Sequence, residues 1–442
     1  RVLSSFAAGQ SPSGSVGLTG ERVGSSTLYV TPRYEVRADG TDWFSTLTAV
    51  KVERDEATGE MTESQVWEAA ARLPAAGARD VWFGRNGGVE RFNDANANIT
   101  WDLLCSNAAQ RICTAAEAQA LGATRAEAIN YLLGDTTREK RLGGVLRDRS
   151  TRLGDIVNST PVVSSPKDDY GYRVLPEPYG SAYADYLDSK EESRNTMVYV
   201  GANDGMLHAF DSGMRADGSM PGAASTRGRE RFAYIPEVVA GHMGNLLFPR
   251  LEDGANQKFQ HRYYVDGPLT VSDAYYGSAW HTVLVGTTGA GGRGVFSLEV
   301  GSMAAHTSTP SFAASKRLWE INDRSSNAAI KANIGHVLGR PLIVPVKKRN
   351  GTVAWKAIFG NGFGSASDKA VLFVVDVNNP ANVHMIEASE TAATSPPAHM
   401  KNGLGNVIAV DRWGGGEALN IRQRDGFVDT VYGADQRGAL WK

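Results

Sequence analysis

A two-stranded pattern that recurs four times constrains the fold of this chain more than any other feature of the sequence. In each copy an apolar strand ends in glycine, a glycine-rich turn follows, and a second apolar strand begins. One copy reads VYVGANDGMLHAFD (198–211), in which Asn203-Asp204-Gly205 is typical of a tight hairpin turn. The marker glycines of the four copies are Gly201, Gly286, Gly360 and Gly433. Repetition at a similar spacing predicts an architecture built from repeated units.

Further strand-forming segments flank these hairpins. Opening strands precede them at Pro161, Pro268, Pro341 and, more loosely, Asn406, and the outer strands FAYIPE, LWEIND and VHMIEAS follow three of them. An opening strand, a hairpin and an outer strand together make the four-stranded blade of a β-propeller. The spacing exceeds the roughly 40 to 50 residues of common blades. We therefore expect insertions such as 212–231, where binding residues are typically found.

The sequence predicts three regions, two of which precede the repeats and differ from them in composition. Residues 1–26 are rich in Ser and Gly and predict a flexible lead-in. Residues 27–150 predict a smaller mixed β/α accessory segment, and 151–442 predict an incomplete β-propeller. We expect an all-β-dominated fold within a longer parent chain. The missing blades either follow Lys442, which we favour, or are supplied by the strands of 28–93.

Two capping boxes predict helices in the accessory segment. In Thr114-Ala-Ala-Glu117 and Thr124-Arg-Ala-Glu127, a hydroxyl and a glutamate can satisfy the free N–H groups of a first helical turn. Short helices should therefore begin near Ala115 and Arg125. The strongly charged stretch 138–148 predicts a third, exposed helix.

Composition argues against nucleic-acid binding and a membrane-spanning helix, and leaves open whether the two cysteines form a disulfide. The 46 basic and 48 acidic residues nearly balance, so no overall charge favours nucleic-acid binding. The sequence also contains no apolar run near the roughly 20 residues that a membrane-spanning helix needs. The chain has two cysteines, Cys105 and Cys113, whose spacing suits either a small disulfide loop or two free thiols.

Sequence motifs give little support to an enzyme. Gly289–Gly294 matches GxGxxG, but it lies between two predicted strands and opens no helix, so it is not expected to bind a dinucleotide. The usual metalloprotease, P-loop and serine-hydrolase motifs are missing from the sequence. We expect His208 to be a hydrogen-bonded structural histidine. Asp204 is expected to form a turn, with a role as a rim carboxylate as the alternative.

Two candidate sites remain. The stretch IRQRDGFVD (421–429) keeps part of a calcium loop, in which Asp425, Asp429 and Gln423 are the candidate ligands and Ile421 stands where an oxygen ligand is usual. Nearby oxygens could come from Asp411, Glu417 or Asn420; the alternative is a plain hairpin turn. The stretch DAYYGSAW offers aromatic side chains for a glycan, or equally for blade packing. Those side chains are Tyr275, Tyr276 and Trp280.

Several segments, in a consistent order, resemble the type IV pilus-tip adhesin and biogenesis family of the PilC/PilY type. They are GDIVNSTPVV, YVGANDGMLHAF, HRYYVDGPL, LVGTTGAGGRGVFSLEV, AIFGNGF and VDTVYGADQRGALWK. The resemblance implies a modified, quinoprotein-like β-propeller in a secreted Gram-negative protein at the pilus tip or outer membrane surface. It also implies a calcium loop at the position of Asp425 and Asp429.

The resemblance further implies a function without catalysis. Such a protein would promote pilus assembly against retraction, support twitching motility, and attach the cell to surfaces. Its expected partners are pilins, minor pilins and a host or abiotic surface receptor. The alternatives are a quinoprotein-like dehydrogenase and a glycan-binding propeller. The quinoprotein dehydrogenases that this alternative resembles hold a quinone between a tryptophan and a disulfide of adjacent cysteines. Residues 114–442 contain no cysteine.

Overall fold

The computed structural model describes residues 17–18, 26–37, 42–55, 57–249, 259–308, 310–348, 350–389, 401–412 and 424–442. These residues form two compact units. One comprises Arg1–Ser165, Asn195–Asp266 and His306–Ala314, and the other comprises Pro166–Arg194, Gly267–Ala305 and Ser315–Lys442. Strands dominate both units, as the sequence predicts. The predicted region boundaries after residues 26 and 150 remain predictions.

The first sheet of the first unit is an antiparallel meander. Its strands are β1 (Gly17–Leu18), β2 (Ser26–Val36), β3 (Trp43–Arg54) and β4 (Met61–Glu68), in chain order. Burial alternates along β3, where Ser45, Leu47 and Ala49 point inward. This buried face packs against side chains of the next sheet, including Val200 and Phe210.

The second sheet of the first unit contains the first predicted blade and two additional strands. Its strands are β5 (Val81–Arg85), β6 (Gly88–Arg91), β7 (Val162–Ser164), β8 (Met197–Gly201), β9 (Leu207–Asp211) and β10 (Arg229–Ile235). Their order is β6-β5-β10-β9-β8-β7. Strands β7 to β10 are the opening strand, hairpin and outer strand that the repeat predicts. Strand β5 adds to them by pairing parallel to β10, with Val81 opposite Ala233.

The second unit contains two complete antiparallel blades and a three-stranded sheet. The strands of the first blade are β11 (Leu269–Tyr276), β12 (Ala279–Thr287), β13 (Gly294–Glu299) and β14 (Arg317–Asn322). Those of the second blade are β15 (Leu342–Lys347), β16 (Val353–Gly360), β17 (Val371–Asp376) and β18 (Asn379–Glu387). The third sheet is β19 (Leu404–Val410), β20 (Thr430–Asp435) and β21 (Leu440–Trp441). The predicted blade order is therefore confirmed. The GxGxxG segment is the turn between β12 and β13, as expected.

Large aromatic side chains fill the core of the second unit. They include Tyr172, Tyr183, Trp280, Trp319, Trp355, Phe359, Phe373 and Phe427. The Trp319 indole Nε1 donates to the carbonyl oxygens of Asp376 and Val377, at 3.0 and 2.9 Å. Trp319 lies on β14 and Asp376 ends β17, so this contact joins the two blades.

At three of the four marker glycines, neighbouring groups leave no room for a side chain. A Cβ atom at Gly201 would overlap the carbonyl oxygen of Val265. One at Gly360 would overlap the carbonyl of Gly405, and one at Gly286 would lie 2.5 Å from the Phe296 ring. Real Cβ atoms essentially never approach heavy atoms this closely. In these three hairpins the glycine therefore marks close packing near the end of the first strand, whereas at Gly433 the nearest atom, on the Leu404 side chain, would lie 3.1 Å away.

Seven α-helices are described, and two confirm the capping-box predictions. They are α1 (Ala69–Arg72), α2 (Trp101–Leu104), α3 (Ala115–Ala120), α4 (Arg125–Leu132), α5 (Tyr179–Ser193), α6 (Glu237–Ala240) and α7 (Ala328–Asn333). Helices α3 and α4 each begin with a complete capping box. No helix in the described ranges combines the length and apolarity needed to cross a bilayer.

The prediction of a third helix, at 138–148, is wrong. This fully described stretch holds only a short 3₁₀ turn, Lys140–Leu142, which ends at Gly143 with a left-handed φ of 84°. The carboxylate of Glu139 is fully buried and pairs with Arg149 at 3.0 Å and with Arg141 at 2.8 Å. Arginines that suggested one solvated helix face pair instead with separate acids: Arg141 with Glu139, Arg147 with Asp42 and Arg138 with Glu127.

Candidate functional site

The structure brings a third acidic side chain to the predicted calcium loop. Asp411 follows β19, and its Oδ2 accepts a hydrogen bond of 2.8 Å from the Gly426 amide. Asp425 Oδ1 accepts from the Phe427 amide at 3.1 Å, and its Oδ2 lies 3.3 Å from Lys347 Nζ. Local backbone bonds thus hold Asp411 beside the Asp425-Gly426 turn.

Asp429 lies at the other end of this loop. Its Oδ1 accepts hydrogen bonds from the Arg412 amide at 3.2 Å and from the Thr430 hydroxyl at 2.7 Å. The other predicted ligand, Gln423, lies outside the described residues, as do Ile421, Asn420 and Glu417. The described loop therefore contains three carboxylates, which we call the acidic loop: Asp411, Asp425 and Asp429.

The acidic loop is electrostatically strained at Asp411. Partial burial raises the pKa of Asp411, and the charges of Asp425 and Asp429 raise it further, against the opposing effects of the Gly426 amide and Arg424. Asp411 Oδ1 is buried without a hydrogen-bond partner in the described part of the chain. A hard divalent cation would relieve both problems, and carboxylate oxygen is the donor type that calcium takes. Three oxygen-bearing side chains supply only part of the six to eight ligands that calcium takes. Within the described ranges, no group of three or more His, Cys, Asp or Glu side chains is placed to hold a metal ion.

The predicted aromatic site lies on one hairpin, but its largest ring is part of the core. Trp280 is 6% exposed, and its Nε1 donates to the Tyr179 carbonyl at 3.2 Å. Tyr275 and Tyr276 are half-buried at the end of β11. Tyr276 stacks on His281 with ring centroids 4.0 Å apart. A glycan-binding role for these three side chains stays a prediction.

Four charged side chains form a buried network in the first unit, which we call the His208 network: Arg79, Asp204, His208 and Glu230. The His208 Nδ1 lies 2.7 Å from Glu230 Oε1, and its Nε2 lies 3.0 Å from Asp204 Oδ2. The Arg79 guanidinium makes two contacts of 2.7 Å with the Glu230 carboxylate. His208 is thus the hydrogen-bonded structural histidine that the sequence predicts. Asp204 accepts from the Met206 amide within its own turn, at 3.2 Å.

The network keeps its charges in spite of burial. Desolvation opposes ionisation, but the Asp204 and Glu230 carboxylates raise the pKa of His208 to about 9. In the same way Arg79 and His208 lower the pKa of Glu230 to about 2, against the effect of burial. Two cations and two carboxylates therefore compensate one another. The pairing of Arg79 with Glu230 was missed from sequence because 151 residues separate them.

The predicted 212–231 insertion borders a groove lined by arginine side chains. The groove has a volume of about 420 Å³ and is lined by arginines at 91, 215, 229 and 231, together with Asp80, Asp211 and Asn195. Asp211 is paired with Arg231 and with the Asn195 amide, while Arg215 and Arg229 are exposed. A binding role for this insertion stays a prediction.

The blades and their repeat define the chain as a β-propeller protein. The sequence model of the PilY1 beta-propeller domain matches residues 153–442. The chain therefore belongs to the PilY1 family, which confirms the resemblance to the PilC/PilY type.

Curated relatives match along nearly the whole chain. A type IV pilus biogenesis factor PilY1 homolog of Xylella fastidiosa is 35% identical over 479 aligned residues, covering 100% of this chain and 29% of the relative. The type IV pilus biogenesis factor PilY1 of Pseudomonas aeruginosa strain UCBPP-PA14 is 30% identical, covering 92% and 30%. The crystal structure of the Pseudomonas aeruginosa PilY1 C-terminal domain is 30% identical, with a TM-score of 0.41, covering 63% of this chain and 44% of that one. The chain thus spans less than a third of the length of these two curated relatives.

Proposed function

We propose that this chain is the propeller-bearing part of a type IV pilus biogenesis factor. One observation carries the proposal: a relative with that name is 35% identical along the full length of this chain. The parent protein would be secreted and would act at the pilus tip or outer membrane surface. There it would promote pilus assembly against retraction, and support twitching motility and attachment to host or abiotic surfaces.

The proposed role is that of a scaffold and not of an enzyme. Pilins, minor pilins and a surface receptor are the proposed partners. The buried ionisable groups described above support this role, because the His208 network is occupied by internal ion pairs that hold sheet residues together. Exposed loops on rigid sheets are the usual place for protein and surface recognition. The arginine-lined groove beside 212–231 is one such surface.

The test is deletion of the parent gene in the source bacterium, alone and together with the gene for the retraction motor. If the protein opposes retraction, surface pili should be lost in the single deletion and return in the double deletion. Twitching should stop in both strains, since movement requires retraction. Complementation with the intact gene controls for effects on neighbouring genes.

Unchanged pilus number and motility would contradict this proposal. The two alternatives would then be tested on the purified protein. Visible absorbance from a bound quinone would favour the quinoprotein dehydrogenase. Binding to a glycan array that is lost in Tyr276→Ala would favour the glycan-binding propeller.

We further propose that the acidic loop binds calcium after its side chains turn towards the ion, with Asp411, Asp425 and Asp429 as ligands beside the candidate Gln423. Calcium would neutralise the clustered carboxylates and hold Asp411 beside Asp425 and Asp429. Ligand saturation at 100 times the dissociation constant stabilises a protein by about 2.7 kcal/mol. We therefore expect calcium to raise the unfolding midpoint by about 5 °C, measured by calorimetry against EGTA.

The variant Asp429→Asn should lose most of this calcium-dependent shift. Asp188→Asn is the matched control, because Asp188 is an exposed side chain on α5, away from the acidic loop in the chain. It should retain the full shift. An equal shift in Asp429→Asn, or no shift in the wild type, would contradict a calcium site in this loop.

A further inference from the structure

We infer that Cys105 and Cys113 are joined by a disulfide bond in the mature protein. Their Sγ atoms lie 2.8 Å apart, and each residue is 2% exposed. The two sulfur atoms are thus in direct contact and almost fully buried. Only a small movement separates the contacting thiols from a covalent bond.

Two short helices place the cysteines opposite one another. Cys105 ends α2, and its amide donates to the Trp101 carbonyl at 3.1 Å. Cys113 immediately precedes Thr114, whose capping box begins α3. Between them, Arg111 Nη1 donates to the Cys105 carbonyl at 2.9 Å. The loop is therefore already closed by hydrogen bonds, so a disulfide would need little further ordering.

The same loop holds a second segment of the first unit. The Asn245 side chain accepts from the Ile112 amide at 2.8 Å and donates to the Gln110 carbonyl at 3.0 Å. A Cβ atom at Gly244 would lie 2.5 Å from Cys105 Sγ and 3.2 Å from Cys113 Sγ. The backbone of Gly244 thus packs directly on both sulfur atoms. A disulfide would fix the loop against which residues 244–245 are held.

The bond forms by oxidation of two thiols. Together they lose two protons and two electrons, and the electrons reduce the disulfide of a thiol–disulfide oxidoreductase to a dithiol. The mixed disulfide with that enzyme resolves when the second thiolate of this chain attacks it. A hydrogen bond from Cys113 lowers the pKa of Cys105 despite burial, aided by the charge of Arg111, and favours the attacking thiolate. The inference rests on the proposed function in one respect, namely that a secreted pilus factor meets such an oxidant.

Peptide mapping of the unmodified protein tests the bond directly. The full-length protein is isolated from the source bacterium, denatured in iodoacetamide without reductant, and digested with trypsin. Trypsin cleaves after Arg111, between the two cysteines, and so separates peptide 92–111 from peptide 112–125. We expect the two peptides to remain covalently joined and to separate on reduction.

Carbamidomethyl groups on both cysteines before reduction would overturn the inference. So would attachment of either cysteine to a different chain, seen as a larger species on a non-reducing gel. This experiment requires no variant and therefore does not depend on whether a variant folds.

Stability provides a second readout. Reductant should lower the unfolding midpoint of the wild type by about 5 °C, because the unfolded chain regains the freedom of the open loop. It should leave the midpoint of Cys105→Ser/Cys113→Ser unchanged. A wild-type midpoint that does not respond to reductant would argue against the bond.

The outcomes separate this inference from the proposed function. A joined peptide pair together with unchanged pili in the deletion strain would support the disulfide and overturn the pilus role. Free thiols together with retraction-dependent loss of pili would do the reverse.

Discussion

Replacing Glu230 by alanine should lower the free energy of unfolding by about 3 to 5 kcal/mol. The Glu230 and Arg79 side chains are each only 1% exposed, and Glu230 also contacts His208. Removing the carboxylate would leave two buried cations with Asp204 as their one remaining acidic partner in the network. A buried charge without compensation costs far more than the loss of a surface ion pair.

Chemical denaturation of the wild type and of Glu230→Ala gives the difference directly. The matched control is Glu60→Ala, since Glu60 is an exposed side chain in the same unit. Its substitution should change the free energy of unfolding by less than about 0.5 kcal/mol. A loss at Glu230 no larger than that at Glu60 would show that the network contributes nothing to stability.

The pH dependence of this loss in stability distinguishes a missing charge from a simple loss of packing. Folding lowers the pKa of Glu230 from 4.5 to about 2. Its stabilising contribution is therefore present above pH 4.5 and is lost as the pH falls towards 2. The difference in unfolding free energy between the wild type and Glu230→Ala should shrink over this range. A difference that is constant with pH would indicate a cavity effect and not a charge effect.

Local signals made much of this fold predictable from sequence. The hairpins were visible because alternating apolar residues and a glycine turn lie within about 15 residues of one another. The beginnings of α3 and α4 were visible because Thr114 and Thr124 form capping boxes with glutamates three residues later. Each of these features is set by interactions between near neighbours in the chain.

Features that depend on distant residues were not predictable in this way. The parallel pairing of β5 with β10 leaves no turn signal, because the two strands are far apart in sequence. The charged stretch 138–148 does not form the predicted helix, and nothing local shows that Glu139 is buried and pairs with Arg149 beyond the stretch.

The candidate site residues also differ in whether a local sequence pattern could reveal them. Asp425 and Asp429 belong to one short sequence motif and were found from it. Asp411 was only one of several nearby oxygens until the fold placed its side chain at the Gly426 amide. Arg79 and Glu230 carried no signal, since an ion pair between distant residues has no sequence pattern of its own.

Substituting alanine for Gly201 should destabilise the first unit by about 3 kcal/mol, the upper part of the range for overpacking. The added Cβ atom would overlap the Val265 carbonyl oxygen and lie within 3.1 Å of the Ser159 hydroxyl oxygen. That hydroxyl accepts a hydrogen bond of 2.9 Å from the Gly201 amide, so Ser159 cannot move away without breaking this contact.

Gly77→Ala is the matched control, because a Cβ atom there would meet nothing within 4 Å. Gly77 lies in the same unit, and its substitution should be neutral or slightly stabilising, since alanine reduces the freedom of the unfolded chain. Both variants are compared by denaturant unfolding at one pH. Equal stabilities for Gly201→Ala and Gly77→Ala would show that steric exclusion does not explain the glycine at Gly201. A large loss at Gly201 alone would identify it as a packing requirement at the end of β8, and would explain why the hairpin pattern recurs with glycine at this position.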